Sequence, residues 1–121
     1  MGPEVKMIRA QIAEPGRYYD AHRTIVLRTG QLLVNERRAL WHELGHCRRR
    51  DRACDTDEAV ERLVDRQAAE DAMPWVAIKN AWAMATDLDE AADLLKAPPD
   101  WLHLRLVNLH PVFLAQLGIR L

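Results

Sequence analysis

One stretch limits what this chain can fold into: Trp41-His42-Glu43-Leu44-Gly45-His46-Cys47, set in a segment whose apolar residues recur at helical spacing. Leu40, Leu44 and Cys47 make an i, i+4, i+7 stripe, so the segment must be an amphipathic helix with that stripe on a core. Asn35 reads as its N-cap, Glu36 suits the positive end of the helix dipole, and Arg37 to about Arg49 forms the body. On such a helix His42 and His46 stand one turn apart on one face, close enough for both imidazoles to reach one tetrahedral ion at about 2.0–2.1 Å. Glu43 then projects beside the ion, where it can take a proton from a coordinated water. Gly45 costs about 1 kcal/mol in a helix interior, so its presence signals a neighbour pressed against the backbone.

The rest of the chain reads as α+β. Tyr18–Tyr19 and Thr24–Arg28 are β-prone and read as two strands of a short antiparallel sheet, with a turn at Glu14-Pro15-Gly16 before them. Residues 10–13 fit a short helix or a strand, and 31–34 a third strand or the lead-in to the helix. After a polar stretch, Asp55 and Glu58 resemble a capping box, with a helix from Thr56 or Asp57 to Ala72. Helices are expected from Pro74 to about Thr86, over Leu88–Lys96 behind Asp87, and over Trp101–Leu109 behind Asp100. The tail from Val112 is apolar enough to dock. The whole is one domain, with a core at about 16–86 and a C-terminal helical extension over 87–121.

Composition excludes more than it assigns. The formal net charge of −1 offers no general field for nucleic acid. The outline of two helices over 88–109 is too apolar in its second helix to read base edges, so no direct nucleic-acid binding is expected. Neither a secretory leader nor an apolar run long enough to span a membrane is visible, and a cytoplasmic protein is expected. Cys47 and Cys54 are too few for a disulfide framework, and Cys47 reads as core rather than as half of a metal pair. His103 and His110 read as structural, and Arg48-Arg49-Arg50-Asp51-Arg52 as a solvated helix end. Nothing in the sequence sets an oligomeric state.

Two histidines need a third protein ligand if one position is to stay open for water. Glu61 and Asp65, four apart on the second helix, share a face. With Glu61 on the metal, Asp65 lies one turn along, placed to accept a hydrogen bond from the outer nitrogen of His42 or His46. Glu58 competes with Glu61 as ligand. The plainer alternative has both acids in solvent, paired with Arg62 or Arg66.

His-Glu-Leu-Gly-His, followed by Glu-x-x-x-Asp-x-x-Ala-Ala-x-x-x-Met-Pro over Glu61–Pro74, resembles the ImmA/IrrE family of small bacterial and phage metallopeptidases. Arg23-Thr-Ile-Val-Leu27 ahead of Arg37-Arg38-Ala-Leu, Asp51 after the second histidine, and the run through Arg105-Leu106 and Leu109 are similar too. The chain departs from the family at Gln67, usually aromatic there, and in a short span from His46 to Glu61. The resemblance implies a zincin-like minimal domain in which His42, His46 and Glu61 bind Zn²⁺, Glu43 is the general base and Asp65 orients a histidine. It also implies a protein substrate, a DNA-binding helix-turn-helix repressor of phage or mobile-element genes. A His₂Glu set also accepts Mn²⁺, Co²⁺ or Ni²⁺. The substrate is expected to lie along an edge strand, Thr24-Ile25-Val26-Leu27-Arg28, with Tyr18, Tyr19 or His22 as a further donor to the oxyanion. The competing expectations are a repressor-binding or toxin–antitoxin module without proteolysis, and a structural zinc domain.

Overall fold

The computed structural model describes residues 5–51 and 57–119. It is α+β, with three strands and a short 3₁₀ turn followed by six helices: β1 Lys6–Ala10, β2 Gly16–Tyr19, β3 Thr24–Arg28, α1 Leu33–Arg49, α2 Glu58–Ala72, α3 Trp75–Met84, α4 Leu88–Leu94, α5 Pro99–Val107 and α6 Pro111–Gln116. The sheet order is β1-β3-β2, with β1 parallel and β2 antiparallel to β3. The expected antiparallel pair is therefore part of a mixed sheet, and Thr24–Arg28 is its central strand, not an edge. Ile25, Val26 and Leu27 are all buried. Three consecutive apolar residues without alternation are what a strand covered on both faces requires. The edge that faces the helices' cleft is β2.

Helix α1 starts earlier than its sequence suggests. Leu32 is the N-cap and provides no side-chain bond, while Asn35 lies inside the first turn. Glu36 fixes this end differently, accepting two hydrogen bonds from the Arg9 guanidinium on β1, at 2.9 and 2.7 Å. The other end closes with Arg50 in the left-handed region (φ 58°), its N–H donating to Cys47 and the N–H of Asp51 donating to His46. This is a Schellman closure built without glycine, and it turns Asp51 back beneath His46.

Ile25, Leu27 and Tyr18 from the sheet pack on Ala39 and Cys47 of α1 to make one small core, with Leu40 and Leu44 at its margin. A second, larger core gathers Ala68, Ala69 and Met73 of α2 with Ile78, Ala91, Ala92, Trp101, Leu102, Leu106 and Leu114. Helix α2 gives Ala68, Ala69 and Met73 to this core and sets Val64 against Gly45 of α1. Its N-cap is Asp57, whose side chain accepts from the Val60 N–H; the proposed Asp55 cap and Cys54 lie outside the described residues. Asp87 caps α4 as expected, whereas α5 is led by Pro98, with Pro99 in its first turn, not by Asp100. Leu114 docks the tail, and Trp82 donates to the Leu117 carbonyl at 3.0 Å. Among the described residues no helix is long and apolar enough to cross a membrane.

The α1–α2 contact explains Gly45. A Cβ placed there would lie 2.9 Å from Cγ1 of Val64, so the helices approach more closely than an alanine allows. That approach brings the two faces carrying His42, His46, Glu61 and Asp65 together.

Candidate metal centre

Three atoms meet where α1 and α2 face each other. Nε2 of His42 and Nε2 of His46 are 3.1 Å apart, and Oε2 of Glu61 lies 2.7 Å from the first and 3.1 Å from the second. Three ligands about 2.0–2.1 Å from one tetrahedral ion are separated by roughly 3.3 Å. The observed triangle is that figure slightly contracted. These three residues are also the group among the described residues whose donor atoms could hold a metal ion.

The outer nitrogens show which atoms are available. Nδ1 of His42 is 2.8 Å from Oδ1 of Asp65, and Nδ1 of His46 is 3.0 Å from Oδ2 of Asp51. A carboxylate oxygen only accepts, so each Nδ1 carries the proton and donates it. In the neutral imidazoles both Nε2 lone pairs then point at a spot that a carboxylate oxygen also faces. Three donor atoms converging in this way could hold a metal ion. The carboxylate behind each ring fixes its tautomer and orientation.

Titration follows the same logic. Burial alone would lower the His42 pKa, but the Asp65 hydrogen bond and charge, with Glu43 and Glu61 nearby, raise it on balance. Asp65 is held below the ordinary aspartate range: burial opposes this, and the bond to His42 and the charges of His42 and Arg38 outweigh it. Asp51 is lowered likewise, burial being overcome by His46 and Arg49.

Glu43 is 8% exposed and sits beside the triangle without joining it. Burial pushes its pKa up, against the two histidines and a hydrogen bond from the Tyr18 backbone. Such a carboxyl holds a proton more readily than a solvated one, which suits a group that must take a proton and pass it on. Gly16 lets β2 come this close: a Cβ there would meet Cγ of Glu43 at 3.2 Å, Leu27 at 3.3 Å and Ala39 at 3.4 Å.

The His42–His46–Glu61 triangle opens into a cleft of about 570 Å³ between β2 and α1. Its lining combines Glu43, Asp51, Glu61 and Asp65 with the histidines, and Arg17, Arg28 and Arg38 with Glu14. The three donors suggested for an oxyanion fare differently. Tyr18 lines the cleft, but its hydroxyl donates to Asp20 at 2.7 Å, accepts from Arg23 at 3.1 Å, and is pushed up to about 12, first by burial and then by Asp20. Tyr19, whose hydroxyl accepts from Arg17 at 3.4 Å, and the exposed His22 are not among the residues lining it.

The competing roles are resolved in the same region. Glu58 is 90% exposed and pairs with Arg62, while Arg66 pairs with Glu70. Neither arginine takes Asp65, whose partner is His42. Cys47 is a free, buried core thiol, His103 is exposed, and His110 caps α6 by accepting from the Val112 N–H. Asp51, as the partner of His46, and the three cleft arginines are the functional candidates that motif reading did not assign. For Asp51 the signal was its position soon after the second histidine, one of the points of the resemblance, with no role attached to it.

Comparison with known proteins finds no matching family model, no matching curated protein and no matching solved structure.

Proposed function

We propose that this protein is a metal-dependent endopeptidase, with Zn²⁺ as the natural occupant, that cuts a regulatory protein of the helix-turn-helix repressor class. The observation that carries the reading is the convergence of His42, His46 and Glu61 on one point with the buried Glu43 beside it, open to a cleft along an edge strand. His42, His46 and Glu61 would hold the cation, which would supply Lewis-acid chemistry toward water and a carbonyl. The chain's own residues do the rest. Glu43 accepts the proton of the attacking water and returns it to the departing amine. Asp65 and Asp51 hold the two imidazoles in one tautomer and one orientation. Gly16 and Tyr18 present backbone groups of β2 along which an extended peptide can pair.

The identity of the substrate comes from the ImmA/IrrE resemblance, on the motif residues. A structural zinc site calls for four protein ligands, and the described residues bring three together.

The test is coexpression with helix-turn-helix repressors, a neighbouring gene's product first where it is one, read by mass spectrometry. The expected result is fragments that disappear with chelator and with Glu43→Gln, while Glu43→Gln still binds one Zn²⁺. Cleavage that survives Glu43→Gln would remove the base assignment. A stable, uncut complex would make the protein a binding module.

A further inference from the structure

A metal would account for the acids that line the cleft beside the histidines, but not for its arginines: Arg17, Arg28 and Arg38 line the same wall as Glu14. Arg17 is paired with Glu14, and Arg38 with Asp100 at 2.7 Å, although Asp100 is 68% exposed. Arg28 differs. Its guanidinium donates to the Ala13 carbonyl at 2.8 Å, which orients it without neutralising it, and no carboxylate partner is found for it among the described residues. Its backbone is clamped as well. The Arg28 N–H donates to the Pro15 carbonyl at 3.0 Å, and Nε2 of Gln31 donates to the carbonyls of both Pro15 and Arg28, at 2.8 and 3.0 Å. A rigidly held cation with spare donors, on the wall of a substrate cleft, is arranged to receive an anion.

Position along the cleft gives the register. Arg38 lies one turn before His42 on α1, about 6 Å along the axis, and an extended peptide advances about 3.3 Å per residue. The anion therefore belongs about two residues from the scissile bond. Its side follows from β2, which runs beside α1 in the same sense: Gly16 lies against Ala39 and Glu43, and Tyr18 packs with Cys47 further along. A peptide antiparallel to β2 runs the other way and reaches the arginines on the C-terminal side of the bond to be cut.

We infer that the Arg28–Arg38 wall of the cleft selects an Asp or Glu side chain about two residues C-terminal to the scissile bond of the substrate. The inference rests on the peptidase reading for its register, and on the cleft alone for its charge preference.

Binding and cutting separate the two. Zn²⁺-loaded Glu43→Gln protein is titrated by fluorescence anisotropy with extended peptides that differ only in where a single Glu, or its Gln counterpart, stands. The expected result is one register in which Glu binds about tenfold tighter than Gln. The preference falls away in Arg28→Gln and in Arg38→Gln, and turns toward Lys in Arg28→Glu. Inversion is a change that mere loosening of the fold does not produce. Equal binding of Glu and Gln peptides in every register, no binding at all, or a preference that Arg28→Glu leaves in place overturns the inference. Cutting by the unsubstituted protein judges the peptidase reading separately. Peptides bound with the acid preference but never cut leave the arginine subsite standing and retire hydrolysis. Peptides cut with no acid preference do the reverse, and an acid preference on the N-terminal side of the cut overturns the assigned register.

Discussion

The two cores of this molecule bury different kinds of matter. The sheet-side core consists of Tyr18, Ile25, Leu27, Ala39 and Cys47, and its α1 wall also buries Glu43 and His46. The helical core buries Trp101, Leu102, Ile78, Met73 and a set of alanines, with no charged side chain among its fully buried members. Burying carboxylates and imidazoles is costly unless each is bonded or paired; apolar burial stabilises at about 25 cal/mol per Å². The chemistry is thus concentrated in the half that contributes least to holding the fold. The half without chemistry anchors it. Helix α2 joins them, with Glu61 and Asp65 toward α1 and Ala68, Ala69 and Met73 in the helical core. Arg105 fastens the join, its Nε donating to the Met73 carbonyl at 2.9 Å.

If that division is right, emptying the helical core should cost the most. Trp101→Ala removes a side chain that is 1% exposed, and a loss of about 3–5 kcal/mol is expected in denaturant unfolding of the metal-free protein. A loss under about 1 kcal/mol would mean the helical half is not the anchor. Changes at the site should act on the metal instead. Asp65→Asn and Asp51→Asn each replace the carboxylate behind a histidine by a neutral amide, and Zn²⁺ affinity measured by competition with a chelating dye should fall about 10–100-fold. An unchanged affinity would reduce those carboxylates to surface partners.

Gly45→Ala probes the join itself. The added methyl would meet Val64 at 2.9 Å; overpacking of this kind costs about 1–3 kcal/mol, against about 1 kcal/mol gained in helix propensity. A net loss of roughly 1 kcal/mol with weaker Zn²⁺ binding is expected, and Val64→Ala in the same chain should restore the affinity. If Gly45→Ala stabilises the protein and leaves metal binding alone, the close approach of α1 and α2 does not set the site.

The smallest expected effect is on pH dependence without metal. Asp65 has a folded-state pKa below its ordinary 3.8, so its contribution is present above that value and lost as pH falls through the lowered one. His42 is raised above 6.5, so its contribution is complete below 6.5 and lost as pH rises through the raised value. Their shared bond therefore favours the fold most between those two limits. Thermal melts across pH should show a shallow maximum there, and Asp65→Asn should flatten it. A maximum that survives the substitution would place its origin elsewhere.

Much of the site was legible because its parts are local. His42, Glu43 and His46 are tied by helix periodicity, and Glu61 and Asp65 by the same rule on α2, so each pair's shared face follows from spacing. Gly45 was legible for a related reason, as a residue whose local cost demands a neighbour. Asp51 was not. The resemblance included an acid at this position, but its place beneath His46 depends on Arg50 adopting the left-handed region, which a non-glycine residue rarely does. The sheet was half legible: the apolar run Ile25-Val26-Leu27 carried the mark of a central strand, but Lys6–Ala10, with four of its five residues exposed, had no pattern to announce it.

Helix periods, the shared faces of His42 with His46 and of Glu61 with Asp65, and an α+β architecture were therefore determined by the sequence alone, because backbone geometry repeats every few residues and demands nothing of distant chain. Which acid joins the two histidines, which strand lines the cleft, which acid backs which histidine, and the presence of Arg17, Arg28 and Arg38 in one cleft were decided only in three dimensions. Each of those depends on segments far apart in the chain being packed at one separation, and α1 and α2 reach that separation because Gly45 yields the space that Val64 fills.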